Sequence, residues 1–352
     1  MKQRNKRARS SADVDLLALA DFVERFAGKR IVVLGDFVAD DFQYGDISRV
    51  SREAPVLILR HRETRIVPGG GANAANNFAA LGARVLPVTV IGDDAAGDAL
   101  VQTFRERKVD VSGIHRVKGR TTPKKTRFLA GWTHTVGQQV LRVDYEPPDS
   151  LSETHRKKID QFLRARLKSA DALAVSDYGF GVANPETIHR VTNDRRRSIL
   201  VTLDSRYRLL AYKRAGITAA TPNEAEMEAQ YHTTIGRDTV ELERCGRATL
   251  RQMKLHSLLV TRGKHGMAVF EPGAKPLHLP VHGSDQAVDV TGAGDTVLAA
   301  YTLGLASGAS PVEAAHIANI AGGLVVMKRG TATVSRAELL DAIHKVAAEA
   351  PS

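Results

Sequence analysis

Short apolar segments recur along this chain with helix-patterned stretches between them, and that alternation restricts the fold more than any other feature. Arg30–Asp36, Arg84–Ile91, Ala172–Ser176, Ile199–Leu203 and Ser257–Thr261 read as strands, with shorter ones near Ile217–Ala220 and at Met267–Phe270. Apolar spacing near 3.6 residues predicts helices over Val14–Phe26, from the glycines at 69–71 to Leu81, over Asp94–Lys108, Pro185–Arg195 and Val240–Met253, and finally over Gly292–Ala306, Pro311–Met327 and Ser335–Ala348. Strands that alternate with helices pair in parallel and are covered on both faces, so the expectation is an α/β chain with a three-layer α/β/α core and a mainly parallel sheet. Two regions break the pattern, at about 42–66 and 120–145, where short alternating pieces such as Val56-Leu-Ile-Leu59 predict a small separate β-sheet set over the core as a lid.

The 352 residues carry a formal charge of +11, which raises nucleic-acid binding as a function class. Lys2, Arg4, Lys6, Arg7 and Arg9 all precede the first acid, Asp13, and removing those five from +11 leaves +6 on the rest. No aromatic residue is interleaved with them, so residues 1–12 read as a disordered basic tail and no nucleic-acid partner is expected. No apolar run is long enough for a bilayer and the N-terminus lacks an apolar signal core; no membrane partner is expected and a cytoplasmic location is. The single Cys245 excludes an internal disulfide and fits a reducing compartment. Paired Cys-x-x-Cys and His-Glu-x-x-His are absent, which removes the common zinc sites.

The chemistry-bearing stretch is Asp289-Val-Thr-Gly-Ala-Gly-Asp295, at the entrance of the helix beginning near Gly292. Bare N–H groups at the positive end of a helix hold anions. Asp295 in the first helical turn is either a favourable N-terminal charge or a base beside an anion site, which would suit phosphoryl transfer. Asp36 and Asp40 follow the first strand, where parallel sheets gather ligand groups, although a capping role serves either one alone. Gly69, Gly70 and Gly71 precede a helix and allow close backbone approach, with Asn73 offering both a donor and an acceptor. Gly69-x-Gly71-x-x-Ala74 imitates a dinucleotide fingerprint but does not follow the first strand, and Gly263-Lys264 continues with His265 rather than the Ser or Thr of a P-loop.

Taken in order, Gly70-Gly-Ala-Asn73 with Gly82 and Gly92, Thr221-Pro-Asn-Glu-Ala-Glu226, Thr261-Arg-Gly-Lys-His-Gly266 and Asp289–Asp295 with Ala299-Ala300 resemble the signatures of the ribokinase-like (PfkB) carbohydrate kinases. The resemblance runs from about Arg30 to Ala342. Within the family it is closest to the D-glycero-D-manno-heptose 7-phosphate kinase domain of ADP-heptose biosynthesis, through Gly45–Pro55, Gln138–Asp144, Ser176-Asp-Tyr178 and Gly330–Ser335.

This resemblance implies an ATP- and Mg²⁺-dependent kinase over residues 13–352 that phosphorylates the sugar at C1. Asp295 would be the base, with the amides of Gly292, Ala293 and Gly294 facing the transferred phosphoryl group. Asn223 and Glu226 would position the magnesium–phosphate complex, Glu226 through water. Thr261, Gly263 and Gly266 would line the ATP phosphates. Asp36, Asp40, Gly70, Gly71 and Asn73 would hold sugar hydroxyls, and Lys125, Arg127 and Arg142 are the candidates for the substrate phosphate. A homodimer through the lid is expected. Bifunctional relatives add a nucleotidyltransferase with a His-x-Gly-His motif; the sequence lacks it, so a stand-alone kinase is expected.

Two departures bear on the substrate. Ser176-Asp-Tyr-Gly-Phe-Gly181 has Phe180 where a lysine is typical, and Ala130–Gly137, with the only Trp, is longer than the compact form. They keep open a kinase for another sugar, sugar phosphate or nucleoside. A catalytically silent binding protein on this scaffold is the alternative of a different class, and the intact Asp295, Asn223 and Glu226 argue against it.

Overall fold

The computed structural model describes residues 14–131, 138–147, 151–192, 199–283 and 287–349. The basic tail expected at 1–12 and Trp132 lie outside them. In chain order the described elements begin with α1 (Leu16–Glu24), β1 (Arg30–Gly35), β2 (Phe37–Val50), β3 (Leu57–Gly70), α2 (Gly71–Ala80), β4 (Arg84–Gly92), α3 (Ala95–Glu106) and β5 (Ile114–Val117). There follow β6 (Lys124–Gly131), β7 (Gln138–Tyr145), α4 (Glu153–Leu167), β8 (Ala172–Asp177), α5 (Pro185–Thr192), β9 (Leu200–Ser205), β10 (Ala219–Ala220) and α6 (Glu224–Tyr231). The chain continues through α7 (Thr239–Met253), β11 (Ser257–Thr261), β12 (Met267–Phe270), β13 (Leu277–Leu279), α8 (Ala293–Ala306), α9 (Pro311–Val325) and α10 (Arg336–Glu349).

Nine of the described strands form one sheet in the order β13-β12-β11-β10-β9-β8-β1-β4-β5, parallel except where β12 and β13 pair antiparallel at one edge. Side chains of β1 show why helices must cover both faces. Ile31 and Val33 pack with α1, α2, α8 and α9, whereas Val32 and Leu34 pack with residues of α4, α5 and α7 on the other side. A strand that buries every residue after its first, Arg30, belongs inside a three-layer core. β1 lies between β8 and β4, so the winding direction reverses at β1, and the crevice at the carboxyl ends of β1 and β8 is where such sheets bind ligands.

The lid is a four-stranded sheet of order β3-β2-β6-β7, and its strands reach further towards the core than the sequence pattern indicates. Only Asp36 separates β1 from β2, and β3 runs directly into α2. The Gly71 N–H donates to the Asp36 carbonyl at 3.0 Å where the two crossings meet. β6 pairs in parallel with β2, which sets Lys125 opposite Asp40.

Four described elements were not anticipated: α4, α6, β5 and β13. The α4 sequence Glu-Thr-His-Arg-Lys-Lys-Ile-Asp-Gln-Phe-Leu-Arg-Ala-Arg-Leu buries only a narrow stripe of Ile159, Asp160, Leu163 and Leu167, which charged neighbours mask in the sequence. The strand expected near Ile217–Ala220 shortens to Ala219–Ala220, and the helix expected to Arg195 ends at Thr192 within the described residues, those beyond it to 198 lying outside them.

Candidate active site

Gly292 caps α8 with φ 77°, a left-handed conformation that suits glycine, and a Cβ here would collide with the Asn73 amide nitrogen. The turn therefore presses α8 against α2. Asn73 Nδ2 donates to Asp295 Oδ2 at 2.8 Å, and the Tyr178 hydroxyl donates to Oδ1 at 3.4 Å. Behind Asn73, Asn77 Nδ2 donates to Asn73 Oδ1 at 3.2 Å and receives the Thr296 hydroxyl at its own Oδ1 at 2.8 Å. This amide relay fixes the orientation of Asn73, and through it that of Asp295.

Asp295 is 3% exposed, and burial first, then the neighbouring Asp204, push its carboxyl up to about 8. Asp204 ends up at the carboxyl end of β9; burial and Asp177 raise it to about 7. Glu226 is raised to about 8 by burial and by Asp204. The charge of Asp204 thus acts on both of the other acids. Sequence reading passed over Asp204, although the signal that selected Asp36, a carboxylate just after a parallel strand, was present there too.

A pocket of about 140 Å³ opens beside Asp295 and Gly292, bounded by Asp40, Gly70, Lys125 and Arg206. Asp40 is held by Arg127, whose Nη1 lies 2.6 Å from Oδ1, and its carboxylate rests against Gly69 in the space a Cβ would take. Arg127 is therefore engaged with Asp40, not presented as a free cation. A second cavity, of about 670 Å³, adjoins the first between the lid and the 178–186 loop, and Arg142 faces this one, in a bidentate pair with Asp144 at 2.9 and 3.1 Å.

Three residues expected to hold sugar hydroxyls are engaged within the protein instead: Asn73, fully buried, gives its amide to Asp295, and Asp36 and Gly71 are likewise turned away from the pocket. Asp36 is fully buried and does not reach the pocket; its oxygens accept from the N–H groups of Tyr178, Phe180 and Val182 at 3.0, 3.0 and 2.9 Å. It shapes the 178–182 loop instead of holding a sugar hydroxyl. Gly71 likewise packs on Gly35, where a Cβ would stand 3.1 Å from Cα. The Ala293 N–H, expected to face an anion, donates to the Val290 carbonyl at 3.2 Å.

Asn223 and Glu226 form a reciprocal capping box at the start of α6, with bonds of 2.8 and 2.9 Å between each side chain and the other's N–H. A bridge between Asn223 and Thr261 joins this helix start to the end of β11. Gly263 (φ 52°) and Gly266 (φ 77°) then close a tight turn into β12, and the Leu279 carbonyl occupies the position of a Gly266 Cβ. Arg262, only 9% exposed, ties the two parts: it donates to Glu224 at 2.7 Å and to the Gly236 carbonyl at 2.6 Å. No sequence signal marked Arg262. Among the described residues no cluster of three His, Cys, Asp or Glu side chains is arranged to hold a metal directly.

A buried carboxylate at a helix N-terminus, set at the switch point of a doubly wound sheet beneath a β-lid, defines the ribokinase-like class of fold. Solved structures agree: a ribokinase from Arabidopsis thaliana complexed with ribose and ATP superposes with TM-score 0.70 at 20% identity, covering 90% of this chain and 99% of that one. Phosphofructokinase-2 from Escherichia coli in complex with potassium gives TM-score 0.73 at 20% identity, covering 92% and 98%. The chain belongs to the pfkB family of carbohydrate kinases, whose family model matches residues 29–338, and it is accordingly a sugar kinase. Among curated relatives, the bifunctional protein HldE of Mesorhizobium japonicum is 39% identical over 92% of this chain, which spans 64% of that protein's length.

Proposed function

We propose that this kinase transfers the γ-phosphate of ATP, with Mg²⁺, to a hydroxyl of a sugar phosphate, and that the substrate is D-glycero-D-manno-heptose 7-phosphate, phosphorylated at C1. The observation that carries the reading is Asp295 itself: a carboxyl raised to about 8 and facing the pocket that Asp40 and Lys125 also line. In this reading Asp40 and Gly70 hold the sugar so that one hydroxyl meets Asp295, which removes its proton as the oxygen attacks. The Gly292 and Gly294 amides, at the positive end of α8, face the negative charge that grows on the phosphoryl group. Asn223, Thr261, Gly263 and Gly266 border the nucleotide.

The magnesium requirement fits the donor set. Asp204 raises the Glu226 carboxyl, and Asp204 is itself raised by burial and by Asp177, so like charges gather where a cation would relieve them. Magnesium is commonly held by one or two carboxylates and phosphate oxygens with water completing the shell, and it neutralises phosphate charge during transfer. The heptose assignment rests on the Gly45–Pro55, Gln138–Asp144 and Gly330–Ser335 segments and on the HldE relative. Phe180 favours the second reading, a kinase for another sugar phosphate. A homodimer through the lid is supported by exposed Val50, Leu57 and Leu141, at 58%, 45% and 55%; sedimentation of the purified protein tests it.

ADP formation across a panel of sugars, sugar phosphates and nucleosides tests the proposal. Turnover of heptose 7-phosphate above the rest is expected. Turnover of another sugar alone removes the heptose assignment, and ligand binding without turnover of any compound supports the silent alternative.

A further inference from the structure

The two cavities under the lid share Lys125, Tyr178 and Arg206, which stand at the passage between them. The other cations around these cavities are neutralised. Arg127 pairs with Asp40 at 2.6 Å, Arg142 with Asp144 at 2.9 Å, Arg208 with Asp177 at 2.8 Å and Arg156 with Glu186 at 3.7 Å. Lys125 and Arg206 differ. Among the described residues neither has a carboxylate within 4 Å; the Lys125 ammonium lies 5.6 Å from the Tyr178 ring centroid and the Arg206 guanidinium 5.4 Å from that of Tyr207. Burial and the charge of Arg206 both lower the basicity of Lys125, while Asp40 and Asp144 act the other way. Asp204 and Glu226 feel the charge of Arg206 in turn, yet among the described residues no carboxylate touches either cation, so the two facing positive groups, one of them partly desolvated, leave a place for an anion between them.

Their supports are different. Lys125 belongs to lid strand β6, while Arg206 follows β9 of the core directly and its N–H donates to the Asp177 carbonyl at 3.0 Å. An anion held by both therefore bridges lid and core. Phe180, which lines the larger cavity, contributes no charge to it.

We infer that Lys125 and Arg206 form a two-sided clamp for the phosphate ester of the sugar substrate, supplying the charge that Phe180 does not. The inference rests on the sugar-phosphate kinase reading above and assigns Arg206, on the core side, a part in substrate selection. A guanidinium matches phosphate oxygens in a fork, and the lid lysine adds a point charge from the opposite wall.

The test compares wild type with Arg206→Met, Lys125→Met and Arg206→Lys. Calorimetric binding of heptose 7-phosphate and of the unphosphorylated heptose is measured alongside ADP-formation kinetics. Losing one charge-assisted contact should weaken the phosphorylated sugar by about ten- to a hundredfold in each Met variant. Binding of the unphosphorylated sugar should shift less than about threefold on the same basis, and Arg206→Lys should recover part of the loss. KM for the sugar phosphate should rise far more than kcat falls.

Equal weakening of both sugars overturns the clamp. So does a fall in kcat or a rise in KM for ATP with the sugar-phosphate KM unchanged, since the two cations would then serve the transferred phosphoryl group. A wild type that turns over a different sugar phosphate removes the heptose assignment only, and the same variants read the clamp on that compound and its parent sugar. A wild type that binds unphosphorylated sugars as tightly as their phosphates removes the clamp while the kinase reading stands.

Discussion

Asp295→Asn keeps the shape of the side chain and removes its charge and basicity. Asn73 Nδ2, 2.8 Å from Oδ2, can donate equally well to an amide oxygen, so the contact between α2 and α8 should survive. A missing general base lowers kcat by about 10²- to 10⁴-fold, or roughly 3 to 5 kcal/mol in the barrier. Stability should move in the opposite direction. The Asp295 carboxyl is raised from 3.8 to about 8, mainly by burial. Its contribution is fully present below its unfolded value, near 3.8, and is lost as pH rises through about 8. Titrating alone, a shift of roughly four units corresponds to about 5 kcal/mol above pH 8. Asp204 and Glu226 titrate in the same field and relieve part of it, so about 1–3 kcal/mol is expected from the substitution. The assay pairs steady-state ADP formation with thermal melts of the ligand-free protein at pH 5, 7 and 9. Asp295→Asn should melt higher than wild type at pH 9, by a margin that narrows towards pH 5. Activity within a few-fold of wild type, or a loss of stability independent of pH, would refute the reasoning and leave Asp295 as a helix cap.

The remaining predictions concern its supports. Asn73→Ala strands the Asp295 and Asn77 side chains and should cost about 1–3 kcal/mol by denaturant unfolding, with kcat reduced more than KM for the sugar. Arg262→Ala leaves Glu224 and the Gly236 carbonyl without their donor; about 2–3 kcal/mol of destabilisation is expected for so buried a pair, and KM for ATP should rise while sugar affinity holds. Gly292→Ala meets both a positive φ and the Asn73 amide, so turnover should be lost even where circular dichroism shows a folded protein. Asp36→Asn removes one acceptor from the three N–H groups of the 178–182 loop and should lower stability by about 1–3 kcal/mol, seen as a lower melting temperature.

The core was legible because periodicity reports burial directly. β1 ends within one residue of its expected boundary, and Asp94, expected to open a helix, caps α3 with its side chain on the Gly97 N–H. The Asp289–Asp295 turn was legible because glycine and carboxylate at a helix start have few uses. Asp36 misled because a carboxylate after a first strand can face either a ligand or its own neighbouring loop, and only the fold shows the 178–182 N–H groups waiting for it. Arg206 and Arg262 gave no signal at all. Arg262 matters for the Glu224 carboxylate it reaches and Arg206, in the clamp proposed above, for having none in contact, and both are properties of residues far apart in the chain. Lid strands were read as two patches, yet their true extent to Phe37 and Gly70 was hidden by glycine and proline at 68–71, which resemble a turn.

The single residue between β1 and β2 has a further consequence. Asp36 is clamped by three N–H groups and its carbonyl receives the Gly71 N–H, so the lid leaves the core through a pinned joint and not through a slack linker. Nearby, the Ala39 N–H donates to the Pro123 carbonyl, securing the second entry into the lid. These crossings divide the molecule into a replaceable part and a retained part. A lid grafted at positions 37, 70, 124 and 145 would bring a different Asp40 neighbourhood and a different Lys125 to the same Asp295, so under the proposed function the lid's share of sugar preference would be transplantable while the core's share, Arg206 included, stays with its host.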